Sequence, residues 1–323
     1  MNILLTGGAG YIGSCTANLL IDKGHQVTII DNLSTGSRQL IPKKAKFFEC
    51  NIQSKKINEI LIHNRFDLVM HFAAFIQVEE STKLPKKYLQ NNFINSVKFL
   101  NICKKNNLKN IIISSTAAVY GDSAKVGKKI SETATLRPTN PYAHSKLKLE
   151  KYVRKFKYFN YIIFRYFNVA GADLFLRSGQ ISKKSTHLIK KICESAIEEK
   201  SIDVYGSDYP TKDGTAIRDY IHVVDLANAH ILAANYLLKT KKSQIFNCGY
   251  GYGYSVKEVI DMFNKINFQK IKYIYKRRRK GDVPFLVSNS NKIKKILRWK
   301  TNNKSLSKIL KTHLLWEKKL NKI

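Results

Sequence analysis

Acidic residues are scarce in this 323-residue chain: 23 Asp and Glu stand against 57 Lys and Arg, for a formal net charge of +34. An excess of that size would ordinarily raise nucleic acid or an anionic membrane as a partner. Arginine is scarce as well, at 11 of those 57 cations, and nucleic-acid readers favour its planar fork. The lysines are spread through every helical and loop-like stretch amid many Asn and Ile, so they read as compositional bias and nucleic acid is not expected as a partner. The five cysteines, Cys15, Cys50, Cys103, Cys193 and Cys248, are odd in number, far apart and never in a C-x-x-C pair. That spacing predicts neither a disulfide framework nor a zinc site, and favours a reduced, cytoplasmic setting without metal. No run of 18 apolar residues is present for a membrane span, and Met1-Asn2 leads straight into an apolar stretch with no basic leader segment. With only 6 prolines there is no Pro-rich hinge.

What remains is ordinary for a soluble globular protein. Hydrophobic residues make up 44%, and the length suits one large domain or two. Short apolar runs at 2–6, 27–30, 46–49, 67–70, 110–113 and 161–164 alternate with helix-length segments, which predicts a doubly wound parallel sheet of Rossmann type with helices on both faces. After about residue 170 the alternation loosens: helices are expected at 184–199, 223–238, 255–266 and 304–320, and strands at 202–205, 244–247 and 271–275. This predicts an α/β chain with a nucleotide-binding domain over 1–170 and a smaller, mixed α/β substrate-binding lobe over 171–323, the two interleaved.

Gly7, Gly10 and Gly13 form G-x-x-G-x-x-G directly after the first predicted strand and at the opening of a helix. Missing Cβ atoms permit the tight turn and let backbone approach a pyrophosphate at the helix N-terminus. Asp31 ends the next strand, 18 residues after Gly13, where a carboxylate would hold ribose hydroxyls and repel the extra phosphate of NADP, so NAD is the expected cofactor. Phe72-Ala73-Ala74 and Ser114-Ser115-Thr116 each follow a predicted parallel strand, at the end where such sheets bind ligands.

Tyr142-Ala143-His144-Ser145-Lys146 puts a phenol and an ammonium four residues apart, on one helix face, with Pro141 suited to the first turn. A phenol ionises near pH 10, so a Tyr base working at neutrality must be shifted by about three units, or about 4 kcal/mol. A neighbouring Lys and a cationic nicotinamide can supply that field. His71 and His222 lie beside apolar strand residues and read as structural histidines, and no metal-binding spacing is present.

Taken together, these motifs resemble the extended short-chain dehydrogenase/reductase family, and within it the nucleotide-sugar epimerases, over nearly the whole chain. The phrases that carry the resemblance are GGAGYIGS at 7–14, DNLSTG at 31–36, HFAA at 71–74, SSTAAVYG at 114–121, NPYAHSK at 140–146, RYFNVAGA at 165–172, DGTAIRDYIHVVDLA at 213–227 and RRKGD at 278–282. The resemblance implies NAD-dependent inversion at C4 of UDP-hexoses. Tyr142 would then be the base and acid at the sugar 4-hydroxyl, Thr116 would bond the same oxygen, and Lys146 would hold the nicotinamide ribose. For NAD it implies Gly7, Gly10, Tyr11, Ile12, Gly13, Asp31, Asn32, Asn51, Ile52, Phe72, Ala73, Ala74, Asn92, Ser114, Tyr142, Lys146 and Tyr166. For the UDP-sugar it implies Thr116, Tyr142, Asn168, His187 and Leu188, with Tyr205 against the uracil and Arg218, Arg279 and Asp282 on diphosphate or ribose. Leu286 would help wall the sugar pocket, where an aromatic excludes a 2-acetamido group and a smaller side chain admits it.

Two positions depart from the family pattern. Asn51 stands where an Asp is usual near the adenine, and His187 where several relatives carry Asn near the phosphates. Of the basic run, Arg279 is the expected clamp, while Lys276, Arg277 and Lys280 are expected in solvent. A homodimer is implied, built on the helix carrying Tyr142 and the helix near 87–105. Competing readings are a dehydratase or decarboxylase of the same family, or a non-catalytic Rossmann-like protein that binds polyanions. The first two need an acid after Thr116, where this chain has Ala117 and Ala118.

Overall fold

Thirteen strands form among the residues described by the computed structural model, which are 1–182, 185–267, 270–279 and 281–322. In chain order they are β1 (Asn2–Thr6), β2 (Gln26–Asp31), β3 (Lys46–Glu49), β4 (Leu68–His71), β5 (Asn110–Thr116), β6 (Asn160–Tyr166), β7 (Asn168–Ala170), β8 (Ile202–Tyr205), β9 (Ile217–His222), β10 (Gln244–Cys248), β11 (Gly253–Ser255), β12 (Tyr273–Lys276) and β13 (Phe285–Leu286). The continuous apolar runs become strands buried on both faces: Ile3, Leu4 and Leu5 of β1 and Ile111, Ile112 and Ile113 of β5 are almost wholly inaccessible. Neither face of such a strand can meet water, so helices must cover both.

Seven strands make one sheet in the order β10-β6-β5-β4-β1-β2-β3. Leu5 pairs in parallel with Ile29 of β2 on one side and with Met70 of β4 on the other, so the strand order reverses at β1. This is the topological switch point at which open α/β sheets take nucleotides. The parallel pairs from β3 through β5 bring their carboxyl ends to one edge. That edge carries the glycine turn after β1, Asp31, residues 72–74 after β4 and Thr116 at the end of β5.

Two compact units divide the chain, and neither is a contiguous segment. The first comprises Met1–Val119, Pro138–Arg165 and Ala227–Phe246; the second comprises Tyr120–Arg137, Tyr166–Leu226 and Asn247–Ile323. The second unit is organised on β9, which pairs with β11 antiparallel and with β7 and β13 in parallel. Asp219 in β9 is buried and accepts from the backbone amides of Tyr250, Gly251 and Ser288 and from the Ser288 hydroxyl, at 2.6–3.1 Å. Those bonds tie the strand to two later loops. β8 and β12 form a separate parallel pair.

The helices expected late in the chain are present with small shifts. Val256–Ile266 opens on a capping box between Ser255 and Glu258, Leu306–Leu320 ends the fold, and Val223–Thr240 runs two residues beyond its expected end. The helix expected from 184 starts at Leu188 with His187 as its N-cap; Lys184 lies outside the described residues. Strands β7, β9, β11 and β13 were not expected, being short or embedded in a motif whose polar residues break the alternation. Among the described residues, no helix is long and apolar enough to cross a membrane.

Candidate active site

The nucleotide cradle follows from two close approaches of backbone. Gly7 has φ +72°, and a Cβ there would lie 2.5 Å from the Ala73 amide nitrogen. A Cβ on Gly13 would lie 2.3 Å from the Gly7 carbonyl oxygen, so neither position tolerates a side chain. Gly10 differs: a Cβ would meet only the Gly7 oxygen, at 3.3 Å. Gly10 is also the N-cap of the helix Tyr11–Asp22, with no side-chain cap and no acid in the first turn. The N-terminal end of such a helix favours an anion. Asp31 is buried and takes the Ala9 amide at 3.0 Å and the Leu33 amide at 2.8 Å. A carboxylate has about four lone-pair sites, so both oxygens keep capacity for ribose hydroxyls. Burial raises the Asp31 pKa and the two amides oppose that rise. The cradle fits a dinucleotide.

Other residues expected at the cofactor are already engaged. Asn32 donates to the Asn51 side-chain oxygen at 2.7 Å, so the Asn that replaces the usual acid spends one acceptor site inside the protein. Ile52 belongs to the hydrophobic core. Asn92 is buried, bonds both the amide and the carbonyl of Phe75 at 2.9 Å, and donates to the Ser145 hydroxyl at 3.1 Å. Its polar atoms hold the 75 loop and the helix of Tyr142 in register. It sits in a π-helical turn, Gln90–Asn95, between the helices Pro85–Leu89 and Ser96–Lys105; such turns often mark functional sites. The Phe72 ring packs 5.0 Å from His230, and Tyr166 closes β6.

Tyr142 and Lys146 lie on the helix Pro141–Lys155, started by Pro141 in the first turn and by the Asn140 side chain, which accepts from the Ala143 amide at 2.9 Å. Thr116 favours the ionised form of the Tyr142 phenol, and its own oxygen accepts from the Ala118 amide at 3.1 Å. Lys146 is buried, and its Nζ donates to the Ser114 carbonyl at 2.9 Å and the Ser114 hydroxyl at 3.2 Å. Burial pushes the phenol up to about 12, against which Thr116 pulls down. Burial also draws the ammonium down to about 8, opposed by Glu150. Desolvation is the largest influence on the Tyr142 phenol. Ionising Tyr142 near neutrality therefore needs a further positive charge.

In the second unit Asn168, His187 and Leu188 line one small cleft together with Gln180, Tyr220 and His313. Burial, with His313 nearby, holds the His187 imidazole down at about 4, and the Val169 carbonyl opposes this. Leu286 pairs in register with Arg218 across β13 and β9. Arg218 donates to the Val283 carbonyl at 2.7 Å and stands 3.7 Å from Asp282. The Arg279 guanidinium lies 3.7 Å from the centroid of the Tyr205 ring, so one face of the ring expected against uracil is covered by the expected clamp. Arg278 bonds Asp208 and stacks on Tyr209. Lys276 and Arg277 are exposed, and Lys280 lies outside the described residues.

His71 and His222 are core groups. His71 bonds Thr6 at 2.7 Å and Ser96 at 2.9 Å, and His222 bonds Thr312 at 3.0 Å. Sequence reasoning passed over Glu150, which with Arg165 and Ser115 forms a buried cluster beside Lys146; the i, i+4 spacing of Lys146 and Glu150 was the available signal.

Residues 3–249 match the profile of the NAD dependent epimerase/dehydratase family. The chain belongs to that family. This epimerase/dehydratase member is 41% identical over 323 residues to the UDP-glucose 4-epimerase of Azospirillum brasilense, covering 98% of this chain and 92% of the relative. Among solved structures it resembles the UDP-glucose 4-epimerase from Bifidobacterium longum in complex with NAD+ and UDP, at 34% identity and TM-score 0.92, covering 99% of this chain and 98% of the other. It also resembles the UDP-Glc/GlcNAc 4-epimerase of Campylobacter jejuni, at 40% identity and TM-score 0.85, covering 98% and 99%. Both halves of the expected resemblance, the NAD-binding family and the sugar-nucleotide epimerase branch, are present in these matches.

Proposed function

We propose that this protein interconverts UDP-glucose and UDP-galactose by NAD-dependent inversion at C4, and accepts the corresponding N-acetylated pair. The observation that carries the reading is buried Lys146, bonded to Ser114 at 2.9 Å, one helical turn from a Tyr142 phenol whose ionised form Thr116 favours. NAD, when bound, would supply hydride acceptor and donor chemistry for inversion at C4. The chain itself manages the proton and the position. Tyr142, as phenolate, takes the proton of the 4-hydroxyl and later gives it back, with Thr116 holding the shared oxygen. Lys146 and Ser114 would hold the nicotinamide ribose, and Asp31 with the first turn of Tyr11–Asp22 would hold the adenosine and pyrophosphate. Arg218, Arg279 and Asp282, with Asn168, His187 and Leu188, keep hold of UDP while the 4-keto sugar turns about its diphosphate link.

Ala117 follows Thr116 in a buried 3₁₀ turn with Ala118, so the carboxylate that a dehydratase or decarboxylase would use there is missing from that position. Leu286 is smaller than an aromatic, lacks its planar ring and can change rotamer, which supports acceptance of a 2-acetamido group. The reading includes a cytoplasmic homodimer joined through the helices of Tyr142 and of residues 85–105. Supporting that surface is a partly buried aromatic row on these helices, Phe93, Tyr152 and Phe156, flanked by Lys148 and Lys104.

Purified protein incubated with NAD and either UDP-galactose or UDP-N-acetylglucosamine, with the nucleotide sugars resolved by chromatography, tests the proposal. Appearance of the 4-epimer in both mixtures is expected. No product from either, or co-purifying nucleic acid with no bound nicotinamide cofactor, overturns it in favour of the polyanion-binding alternative.

A further inference from the structure

Tyr142, Lys146 and Glu150 recur every four residues along the helix Pro141–Lys155 and so share one face. Glu150 is wholly buried and is gripped by Arg165 from β6, through Nε at 3.1 Å and Nη2 at 2.7 Å, with the Arg165 side chain only 1% exposed. The Ser115 hydroxyl of β5 donates to the same carboxylate. A buried Arg–carboxylate pair is poor support for stability, since apolar side chains of similar volume often serve as well or better.

Two buried cations, Lys146 and Arg165, thus sit with one anion. The other groups facing Lys146 are Ser114 on β5, Tyr142 on its own helix and His71 on β4, whose imidazole burial and the Lys146 charge hold neutral. Among the described groups of this cluster, Glu150 alone carries negative charge. Arginine does not give up its proton in proteins. If the carboxylate were withdrawn, the only way to lower the charge would be loss of the Lys146 proton.

We propose that Glu150 is a positioning residue for the reaction: shared between Arg165 and Ser115, it keeps the buried Lys146 ammonium charged and in place one turn from Tyr142. The inference rests on the epimerase reading in taking a charged Lys146 as the form the reaction needs. It assigns opposite effects to the two partners of one ion pair. Glu150→Gln removes the anion and favours neutral Lys146, whereas Arg165→Met removes a competing cation and leaves the carboxylate to Lys146.

The test is NMR titration of protein carrying ¹³Cε-labelled lysine, with the Lys146 resonance identified by its loss in Lys146→Arg. Glu150→Gln is expected to move that titration down by about one to three units, and Arg165→Met to move it up. The alkaline limb of turnover should follow in each case. Should Glu150→Gln fail to fold, Arg165→Met carries the test alone, and Glu150→Asp should restore titration near the wild-type position. An unchanged Lys146 titration in a folded variant, or shifts of the same sign in both, overturns the proposal, because a purely structural pair would weaken the fold without moving Lys146 in opposite directions. The titration needs no substrate. Expected shifts without any epimerisation would sink the proposed function, and epimerisation without the shifts would sink this inference alone.

Discussion

Replacing Thr116 with Val removes a hydroxyl while keeping the branched shape at the end of β5. The Ala118 amide occupies one lone pair of the Thr116 oxygen, which leaves its proton to donate toward Tyr142. The Thr116 side chain also opposes the effect of burial at the phenol. A hydrogen bond to a charged partner contributes about 1.5 to 3 kcal/mol. Losing it should lift the phenol further. If that full amount appears in the step where Tyr142 holds the phenolate, kcat should fall roughly 10- to 150-fold, at 1.36 kcal/mol per factor of ten. Thr116→Ser, which keeps the donor, should restore most of the loss. Steady-state kcat for UDP-galactose across pH 6 to 10, with products separated by chromatography, measures it. A Val variant within about twofold of wild type, or a Ser variant as slow as Val, would refute the assignment of the hydroxyl to the phenolate.

Three further outcomes are expected. Tyr142→Phe should fold and bind NAD normally yet lose at least the 10²- to 10⁴-fold typical of a general acid/base, seen in the same chromatographic measurement beside a fluorescence titration of cofactor. Arg279→Ala should weaken UDP binding by about 1.5 to 3 kcal/mol in calorimetry and free a face of Tyr205; unchanged affinity would return the whole basic run to solvent. Acid should destabilise the fold through His71 and His222, which burial holds down at about 3 and about 4 from an ordinary 6.5. The unfolded chain then binds protons that the folded one refuses, so their contribution is complete above pH 6.5 and shrinks as pH falls toward 4, by about 3 kcal/mol each. Urea midpoints between pH 7 and pH 4 should drop accordingly, and less steeply in His222→Asn; equal slopes would discount the histidine.

Much of the first unit could be read from local pattern because its chemistry is local. A parallel strand buried on both faces is a continuous apolar run, and the glycine turn, Asp31 and the Tyr142–Lys146 spacing each sit within a few residues of such a run. β7, β9, β11 and β13 were hidden for the opposite reason. β9 contains Arg218, Asp219 and His222, polar residues that would break any strand pattern, and it stands because Asp219 is satisfied by amides from residues 250, 251 and 288. No short window of sequence contains that agreement. Asn92 was visible as a ligand by resemblance, but its bonds to Phe75 and Ser145 join residues 17 and 53 positions away. Arg279 was likewise legible as a cation, while its stacking on Tyr205 depends on the parallel pairing of β8 with β12 just before it.

The placement of β10 bears on how the protein is made. β6 lies between β5 and β10 in the sheet, yet β10 belongs to residues 244–248, some 80 positions after β6 is synthesised. While a ribosome is delivering the intervening segment, the newly made nucleotide-binding sheet has β6 as a bare edge, rich in Ile and Phe and able to pair with any strand that arrives. Cutting the chain near residue 170 would make that temporary edge permanent. A fragment so cut should aggregate, and the first unit should reach protease resistance in a translating chain only after residue 248 has cleared the exit tunnel.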